Sequence, residues 1–554
     1  MLKNFTPLKR FVKLLAFEKK NITLIFYYAI FSGIVSLSLP LGIQSIVSLI
    51  QVGQISTSWI ILVILVTMGV VFSGILQLMQ LRIIETIQQR IFVKSSFELS
   101  YRFPKIKFAT IRNFYLPELA NRFFDTLTIQ KGLSKILIDI PTALLQIIFA
   151  LILLSFYHPF FIIFGILLLV LLYSVFKFTM DKGIETSLKE SKHKYRVAHW
   201  LQEIARSVIS FKSSGKTQFA LSKNDSLVSD YLNARESHFK VLVNQYIQMM
   251  SFKTIVTSGL LIIGGLLVLK NEMSIGQFIA AEIVILLIIT SVEKLIIGLD
   301  SFYDVLTSLE KLGQLLDKPL ENQTGETPDM SKHLTIELEN LSYSVEEKTI
   351  PLLKNISLKI SSGEHVHITG NNGSGKSSLI KVIAGIYEPT QGNIYLNNMN
   401  FSSLNINELR SEIGIILSEE TPFEGTIKEN ITLENTNITD NQLFDIIKHI
   451  GLTSFIKEQK LGLQTVLYPE GKYIPSSVSK KILLARALAK QPKVLIMEDI
   501  MEHYSQEEAK QLSSYITKTN SNMIVVYIDR ILHWESFTTQ TIILENGKVK
   551  SIKS

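Results

Sequence analysis

Residues Gly370 to Ser377 have the types and spacing that bind the phosphates of a nucleotide. They read GNNGSGKS and fit the pattern G-x-x-x-x-G-K-S. In such a loop the glycines let backbone N–H groups surround the phosphates, the lysine reaches the β- and γ-phosphates, and the serine hydroxyl binds Mg²⁺. We expect the whole loop and the following residue to contact the triphosphate: Gly370, Asn371, Asn372, Gly373, Ser374, Gly375, Lys376, Ser377 and Ser378.

The segments around this loop predict the elements that position it. The apolar run VHIT before it predicts a buried strand, and SSLIKVIAG after it predicts a helix. The N-terminus of that helix adds partial positive charge facing the phosphates. Strand-like and helix-like segments alternate from residue 334 onward, which indicates an α/β domain with a largely parallel sheet.

The part of the chain before this domain is dominated by long apolar runs. A run at 141–176 is too long for one span of about 20 residues and is divided by His158-Pro159, so it predicts two spans. The other four predicted spans are 22–43, 59–79, 254–269 and 279–297. We therefore predict a membrane α-helical bundle of six transmembrane helices followed by a C-terminal α/β P-loop ATPase domain.

The distribution of basic residues predicts the orientation of the bundle. Lys and Arg are concentrated before the first span and in the connections at about 80–140 and 177–253, whereas the turns at 51–58 and 157–159 have none. Basic loops remain on the cytoplasmic side. The N-terminus, both long connections and the C-terminal domain are thus expected in the cytoplasm, and the spans in contact with membrane lipid.

Composition excludes several kinds of site and partner for this sequence. The 554 residues include no cysteine, which excludes disulfides, thiolate metal sites and a cysteine peptidase within this sequence. The net charge of +8 is explained by the cytoplasmic loops, and we expect no nucleic-acid partner. Charges in KRFVKLLAFEKKN interrupt the first apolar stretch, so no cleavable signal peptide is predicted. Predicted domains are a transmembrane domain at 1–316, a linker at 317–333 and a nucleotide-binding domain at 334–554.

Six spans followed by this phosphate loop resemble an ATP-binding cassette (ABC) exporter half-transporter, with a layout similar to bacterial type I secretion transporters. The resemblance also includes LRSEIGIILSEETPFEGTIKENI, KKILLARALAKQPKVLIMED and the closing TIILENGKV. It implies ATP and Mg²⁺ as cofactors, a location in a bacterial cytoplasmic membrane and a second half-transporter subunit, identical or different. It leaves the transported substrate and a periplasmic adaptor open.

Several positions depart from the family pattern, and the resemblance implies a nucleotide-binding domain with degenerate motifs. Ser418 stands where the family has a glutamine that contacts the metal and the attacking water; the acids Glu419 and Glu420 follow it and are expected as alternative contacts of Mg²⁺. The acid pair is inverted: Glu498 takes the Mg²⁺ position and Asp499 the position of the base, one methylene shorter. Asp529 stands where the family has a switch histidine, and an ionised aspartate repels the γ-phosphate.

The family signature and the adenine-stacking residue are also altered. Ile474-Pro475-Ser476-Ser477-Val478 replaces L-S-G-G-Q. Either Ser476 or Ser477 caps the following helix, or their hydroxyls bind an anion with the helix dipole; the first alternative is favoured. Tyr343 is the nearby ring for adenine stacking, although alignment puts Val345 in the usual place.

The polar residues of the sixth span and the glycine pair of the fifth each have a structural and a functional interpretation. Glu282 and the pair Glu293-Lys294 in the sixth span suit an interhelical contact better than a substrate site. Gly264-Gly265 suits close helix packing better than a gate. Gly215 is expected at a cytoplasmic loop tip that docks on the ATPase domain.

Three functions are consistent with these features. An ATP-driven exporter is favoured. An ATP-binding subunit with a regulatory or structural role, hydrolysing weakly or not at all, is the first alternative. A membrane-anchored nucleotide binder of another family is the second.

Overall fold

The computed structural model describes residues 7–51, 57–329, 333–345, 350–530 and 534–553. They separate into two compact units. One contains the described residues up to Pro104 together with Asn113–Lys318, and the other contains Lys105–Arg112 and the described residues from Pro319 onward. The division at Lys318 lies inside the predicted linker 317–333, of which 330–332 are outside the described residues.

The first unit is helical. Its helices are α1 (Pro7–Phe17), α2 (Lys19–Ser36), α3 (Ser38–Gln51), α4 (Thr57–Arg102), α5 (Leu116–Asn121), α6 (Asp125–Tyr157), α7 (Phe160–Arg206), α8 (Val208–Ser213), α9 (Phe219–Gly259), α10 (Gly265–Leu269) and α11 (Ile275–Leu316). Among the described residues, six helical stretches are long and apolar enough to cross a membrane, which confirms the six predicted spans. Helices α4, α7 and α9 continue well beyond their apolar runs.

The helices are interrupted where the sequence disfavours an unbroken backbone ladder. His158 is extended (φ −159°, ψ 141°) between α6 and α7, as its neighbour Pro159 predicts. The first span divides between Ser36 and Ser38 because Pro40 lacks the N–H that would bond back to Ser36. A π-helical turn, Leu260–Gly264, joins α9 to α10. A Cβ on Gly264 would meet Phe278 at 2.8 Å, which favours its predicted packing role, whereas one on Gly265 would meet nothing within 4 Å.

The polar residues of the sixth span lie on α11. Glu282 and Glu293 are half-buried and Lys294 is exposed. Within the described residues none of the three has an ion pair within 4.0 Å, so the structure gives no partner for the predicted interhelical contact. Gly215 lies in the turn between α8 and α9 with φ +67°, and its docking role stays a prediction.

The second unit is an α/β domain. Its strands are β1 (Thr335–Tyr343), β2 (Leu353–Ser361), β3 (His365–Gly370), β4 (Gln391–Leu396), β5 (Met399–Asn400), β6 (Ile413–Ile416), β7 (Gly425–Thr426), β8 (Val466–Leu467), β9 (Val494–Glu498), β10 (Ile524–Ile528), β11 (Gln540–Glu545) and β12 (Lys548–Lys553). Its helices are α12 (Lys376–Ile383), α13 (Ile406–Ser411), α14 (Ile427–Thr432), α15 (Asp440–Ile450), α16 (Thr453–Glu458), α17 (Ser476–Ala489) and α18 (Gln506–Thr519).

Two large sheets hold this unit together, and β7 pairs with β8 in a third, two-stranded sheet. The larger has the order β12-β11-β3-β10-β9-β6, and all its pairings except β11 with β12 are parallel. The smaller, β2-β1-β4-β5, is antiparallel. Strands β9 and β10 are buried along their whole length, as expected for strands covered on both faces. The carboxyl ends of β3, β10 and β9 therefore meet at one edge, and this edge carries the candidate site.

The segments Lys105–Arg112 and 319–329 belong to this unit. Glu321 receives the Arg410 guanidinium at 2.6 and 2.9 Å, and its N–H donates to the Lys105 carbonyl at 2.8 Å. Ile106 forms an isolated antiparallel bridge with Leu320. The stretch after Lys318 is thus bonded to the domain, so it is not a free spacer.

Candidate functional site

The phosphate loop joins the end of β3 to the start of α12, as predicted. Gly370, Gly373 and Gly375 have φ of +147°, +81° and +103°, values that L-residues with a Cβ rarely adopt. A Cβ on Gly370 would also lie 2.2 Å from the Leu544 carbonyl of the neighbouring strand. The loop shape therefore depends on glycine at these positions.

Lys376 is the first residue of α12, and its ammonium turns back over the loop. Its Nζ donates to the carbonyls of Gly370 at 2.8 Å and Asn371 at 3.1 Å. Asn371 and Asn372 are exposed, and Ser378 is half-buried one turn into the helix. Ser374 is only 4% exposed, and its hydroxyl has no hydrogen-bond partner among the described residues. The loop thus presents a cation, backbone N–H groups and a buried hydroxyl at a helix N-terminus.

Glu498 connects three of the predicted site positions. It is the last residue of β9 and is 3% exposed. The Ser377 hydroxyl donates to its Oε1, and the Ser418 N–H donates to its Oε2 at 3.3 Å. A buried carboxylate is stable only when it is paired in this way. The fold therefore brings the loop serine, the acid after β9 and the residue after β6 to one point.

Asp499 follows immediately and has a left-handed backbone, with φ +52°. Its N–H donates to the Ile528 carbonyl at 2.9 Å, which places it beside the end of β10. Burial raises the pKa of its carboxyl, and the negative charges of Glu498, Glu502 and Asp529 raise it further. A carboxyl with a raised pKa is better suited to accept a proton than an ordinary aspartate.

The raised pKa predicts a dependence of stability on pH. Protonation of Asp499 favours folding, so its stabilising contribution is present below the ordinary aspartate pKa and is lost as pH rises through the raised value. The variant Asp499→Asn should therefore have a higher Tm than wild type at pH 7.5, with the difference vanishing near about pH 4. Thermal scans of the detergent-solubilised chain across this range measure it. The exposed Asp440 provides a control: Asp440→Asn should give no gain at any pH, and a gain equal to that of Asp499→Asn would contradict the assignment.

Asp529 follows β10 and is 6% exposed. Its carbonyl lies 3.2 Å from Nε2 of His367, a residue of β3 whose ring stacks on Tyr527 at 4.8 Å. Its negative charge is among the causes of the raised Asp499 pKa. The structure thus places this residue at the same sheet edge as the acid pair, and its repulsion of a γ-phosphate stays a prediction.

Two lysines that sequence reasoning missed organise the segment after β6. The Lys480 ammonium donates to the carbonyls of Leu417, Ser418 and Glu420 at 3.1, 2.6 and 3.0 Å. Lys381, on α12, forms a salt bridge with Glu419. Lys480 follows Val478 by two residues, but the carbonyls that it binds precede it by sixty or more residues, and no local pattern indicates the pairing.

The lysine contacts correct the expectation that Glu419 and Glu420 approach the metal. Glu419 is paired with Lys381, outside the Ser377–Glu498 contact. Burial raises the pKa of Glu420, with the nearby Arg486 and Lys480 lowering it in part. Of the three positions, only Ser418 touches Glu498, and it does so through its backbone N–H.

The family model described as ABC transporter matches residues 353–501, the part of the chain that contains this loop and the acid pair. This segment therefore matches an ABC transporter domain. The leukotoxin export ATP-binding protein LtxB of Aggregatibacter actinomycetemcomitans is 29% identical over 287 residues, which are 52% of this chain and 41% of that protein. The alpha-hemolysin translocation ATP-binding protein HlyB of Escherichia coli O157:H7 is 29% identical over 303 residues, which are 55% of this chain and 43% of that protein. The aligned part spans less than half the length of either curated relative.

One solved structure has a fold similar to that of this chain. A bacterial Atm1-family ABC exporter with ATP bound aligns with 97% of this chain, and the alignment includes 95% of the exporter chain. The TM-score is 0.82 and the sequence identity is 14%. The likeness concerns the fold, and it extends over both units. The predicted fold class, a six-helix membrane bundle plus an α/β P-loop domain, is thus confirmed.

Residues 474–478, which the resemblance aligns with the family signature, lie at the N-terminus of α17. The helix begins at Ser476 with Pro475 as its N-cap residue, and it has no side-chain cap hydrogen bond. The Ser479 N–H donates to the Pro475 carbonyl at 3.0 Å. The favoured reading, in which Ser476 or Ser477 caps the helix, is therefore wrong. Ser476 is exposed and Ser477 half-exposed at a helix terminus, which leaves the anion-binding alternative open.

The structure also corrects the placement of Tyr343. This ring is 6% exposed and stacks on Tyr387 at 4.8 Å with an interplanar angle of 16°. Its hydroxyl accepts a hydrogen bond from Arg112 at 3.1 Å. Phe108 and Lys107 of the same segment contact Tyr387 and Glu388. Tyr343 therefore holds the segment Lys105–Arg112 on the domain and has no open face for an adenine ring.

Proposed function

We propose that this chain is one half of a dimeric, ATP-driven exporter in a bacterial cytoplasmic membrane. The observation that carries the proposal is the contact of Ser377, Glu498 and the Ser418 backbone at the edge of a sheet that also bears the phosphate loop. The six apolar helices supply the membrane part. In the family that the chain resembles, ATP binding closes two such domains and opens an inward cavity to the other side.

The oxygens at this edge fit Mg²⁺. Ser377 contributes a hydroxyl and Glu498 a buried carboxylate, and hard oxygen donors with substrate phosphates are the ligands that Mg²⁺ prefers. When bound, the metal would neutralise charge on the β- and γ-phosphates. Two residues of the chain would carry out the other steps of hydrolysis. Lys376 would bind the phosphates, and Asp499 would accept a proton from the attacking water.

We further propose that hydrolysis is slow. Asp499 is one methylene shorter than the glutamate of the family, a displacement of about 1 Å that costs on the order of a hundredfold. Asp529 adds negative charge at the same edge, and Pro475 removes an N–H from the signature. In a family dimer each site combines the phosphate loop of one subunit with the signature of the other. A partner with typical motifs would therefore correct only half of each site.

The exported substrate is not proposed. The relatives are named for leukotoxin export and alpha-hemolysin translocation, and these names concern those proteins. A periplasmic adaptor and the choice between a homodimer and a heterodimer stay predictions. Their test is co-purification of the full chain from its own membranes.

The proposal is tested by ATP turnover of the full chain in lipid nanodiscs, alone and mixed with candidate partner chains. Slow, Mg²⁺-dependent turnover is expected. Tight ATP binding without turnover under every pairing would overturn the exporter and favour a regulatory subunit. Absence of any nucleotide binding would overturn both.

Restoring the family motifs should accelerate the enzyme. A variant combining Pro475→Ser, Ser476→Gly, Ser477→Gly and Asp529→His is expected to hydrolyse ATP at least about tenfold faster, because it restores N–H donors and removes a repelling charge. Turnover in nanodiscs measures the change. The same four substitutions combined with Lys376→Ala should stay inactive, which controls for a contaminating ATPase. An unchanged rate in the four-substitution variant would show that the alignment of these positions is wrong.

A further inference from the structure

Arg530 is a cation at the sheet edge that carries the candidate site, and no contact accounts for it. It follows Asp529 directly at the end of β10, and its side chain is exposed. Within the described residues, its guanidinium has no hydrogen bond and no carboxylate within 4.0 Å. A guanidinium does not lose its proton in proteins. This position therefore carries a permanent positive charge whose donors are available.

Strand pairing places Arg530 beside the phosphate loop. Strand β10 is parallel to β3, and the pairing of Tyr527 with His367, continued by three residues, brings Arg530 level with Gly370, the first residue of the loop. The Asp529 carbonyl lies 3.2 Å from Nε2 of His367, so the chain is still beside β3 at this point. Neighbouring strands are about 4.8 Å apart, a distance that an arginine side chain spans. A guanidinium at position 530 is therefore within reach of a group bound in the loop.

A second observation places Arg530 near the acid pair. Strand β10 lies between β3 and β9, and the Asp499 N–H donates to the Ile528 carbonyl at 2.9 Å. Burial and the neighbouring carboxylates raise the pKa of Asp499, and the positive charge of Arg530 opposes this rise. Arg530 is therefore close to the phosphate loop on one side and to the proposed base on the other.

The edge is rich in negative charge before a nucleotide binds. Its carboxylates are those of Glu498, Asp499, Glu502 and Asp529. Two neighbouring lysines are already engaged: the Lys480 ammonium donates to three carbonyls, and Lys381 is paired with Glu419. A triphosphate adds further negative charge, which the carboxylates repel. Among the described residues of this edge, Lys376 and Arg530 remain to offset that repulsion.

We propose that the Arg530 guanidinium binds the γ-phosphate of ATP and offsets the negative charge of Asp529. This inference rests on the proposed function, in which the phosphate loop binds ATP. The loop amides hold the α- and β-phosphates, whereas Arg530 approaches from β10, the side on which Asp499 receives the attacking water. A planar guanidinium can donate two parallel hydrogen bonds to phosphate oxygens. ADP lacks the terminal phosphate and would leave Arg530 without a partner.

Nucleotide binding to the full chain in nanodiscs tests this contact. Dissociation constants are measured with Mg²⁺ for ADP and for AMP-PNP, which carries a third phosphoryl group and resists hydrolysis. Wild type should bind AMP-PNP more tightly than ADP. Arg530→Ala should lose at least about tenfold in affinity for AMP-PNP, while its affinity for ADP stays within about twofold of wild type. Arg530→Lys keeps the charge without the planar fork and should lose less. Lys518→Ala, at an exposed lysine of α18, is the control and should change neither constant.

A double-mutant cycle on ATP turnover separates the charge from a structural role. Arg530→Ala should lower turnover at least about tenfold, because it removes a donor aimed at the reacting phosphate. Adding Asp529→Asn to Arg530→Ala should restore turnover at least about threefold, since it removes the negative charge that Arg530 offsets. Two independent structural defects would lower turnover further instead. The Tm of each variant shows whether it is folded, and Arg530→Lys keeps the test valid if Arg530→Ala unfolds.

The outcomes distinguish this inference from the proposed function. Absence of nucleotide binding by wild type would overturn both. Loss of the AMP-PNP preference in Arg530→Ala, together with no turnover by wild type under any pairing, would contradict the exporter and support the Arg530 contact. Equal affinity of wild type for AMP-PNP and ADP, unchanged affinity in Arg530→Ala, or an equal loss for both nucleotides would overturn the contact, and Mg²⁺-dependent turnover by wild type would still support the exporter.

Discussion

Replacing Lys376 by alanine is expected to lower ATP turnover by at least about a hundredfold and to weaken nucleotide binding. Lys376 is the cation of the loop, and its ammonium lies within 3.1 Å of two loop carbonyls at the N-terminus of α12. Removing a group aimed at developing phosphate charge costs about 10²–10³ in rate. Turnover and the affinity for a fluorescent ATP analogue, both in nanodiscs, measure the two effects.

A lysine elsewhere in the same domain provides the control. Lys359 is exposed on β2, and its nearest carboxylate is that of Glu337, at 3.9 Å. Such surface pairs contribute little, so Lys359→Ala should leave both turnover and affinity within about twofold of wild type. Equal losses in the two variants would indicate a general effect of charge and would contradict the role assigned to the loop. Full activity of Lys376→Ala would show that the nucleotide binds elsewhere.

Asp499→Glu is expected to raise turnover by about tenfold to a hundredfold. The longer side chain restores the reach of the family base, about 1 Å further from the backbone, while Glu498 keeps its contacts with Ser377 and Ser418. The gain has a structural cost. Position 499 has φ +52°, where aspartate is better tolerated than glutamate, and the variant should lose up to about 1 kcal/mol of stability. Turnover and Tm of the same preparation measure both changes.

The opposite change at the neighbouring acid provides a matched comparison. Glu498→Asp shortens the carboxylate that spans Ser377 and Ser418, so it should lower turnover about tenfold or more. Asp499→Ala removes the base and should abolish turnover. If Asp499→Glu is no faster than wild type while Glu498→Asp is unaffected, the two acids do not have the roles assigned here.

The phosphate loop and the segment after β6, which both contribute to the candidate site, could be predicted from the sequence to different degrees. The phosphate loop is a contiguous pattern whose strand, glycines and helix are all local, and the structure places β3, the positive φ angles and α12 accordingly. The segment after β6 is different. Its position depends on Lys480, whose ammonium binds three of its carbonyls from a helix sixty or more residues later.

Local patterns also mislead when a side chain has a distant partner. Tyr343 is the nearest aromatic residue for stacking on an adenine, but its ring packs on Tyr387 and its hydroxyl accepts a hydrogen bond from Arg112. Glu419 follows Ser418 directly, yet Lys381 holds it away from the metal position. In both cases the side chain contacts a partner that the fold brings from a distant part of the chain.

The amino-acid order alone was sufficient for the six spans, the α/β character of the second unit and the phosphate loop. Each of these depends on hydropathy, charge or spacing within about 20 residues. The tertiary structure determined which carboxylate contacts Ser377 and which residue packs against Tyr343. It also determined the left-handed backbone of Asp499 and the absence of a side-chain cap at Ser476. These features arise where elements far apart in the chain compete for the same polar groups and the same space, and that competition has no signature within any single segment.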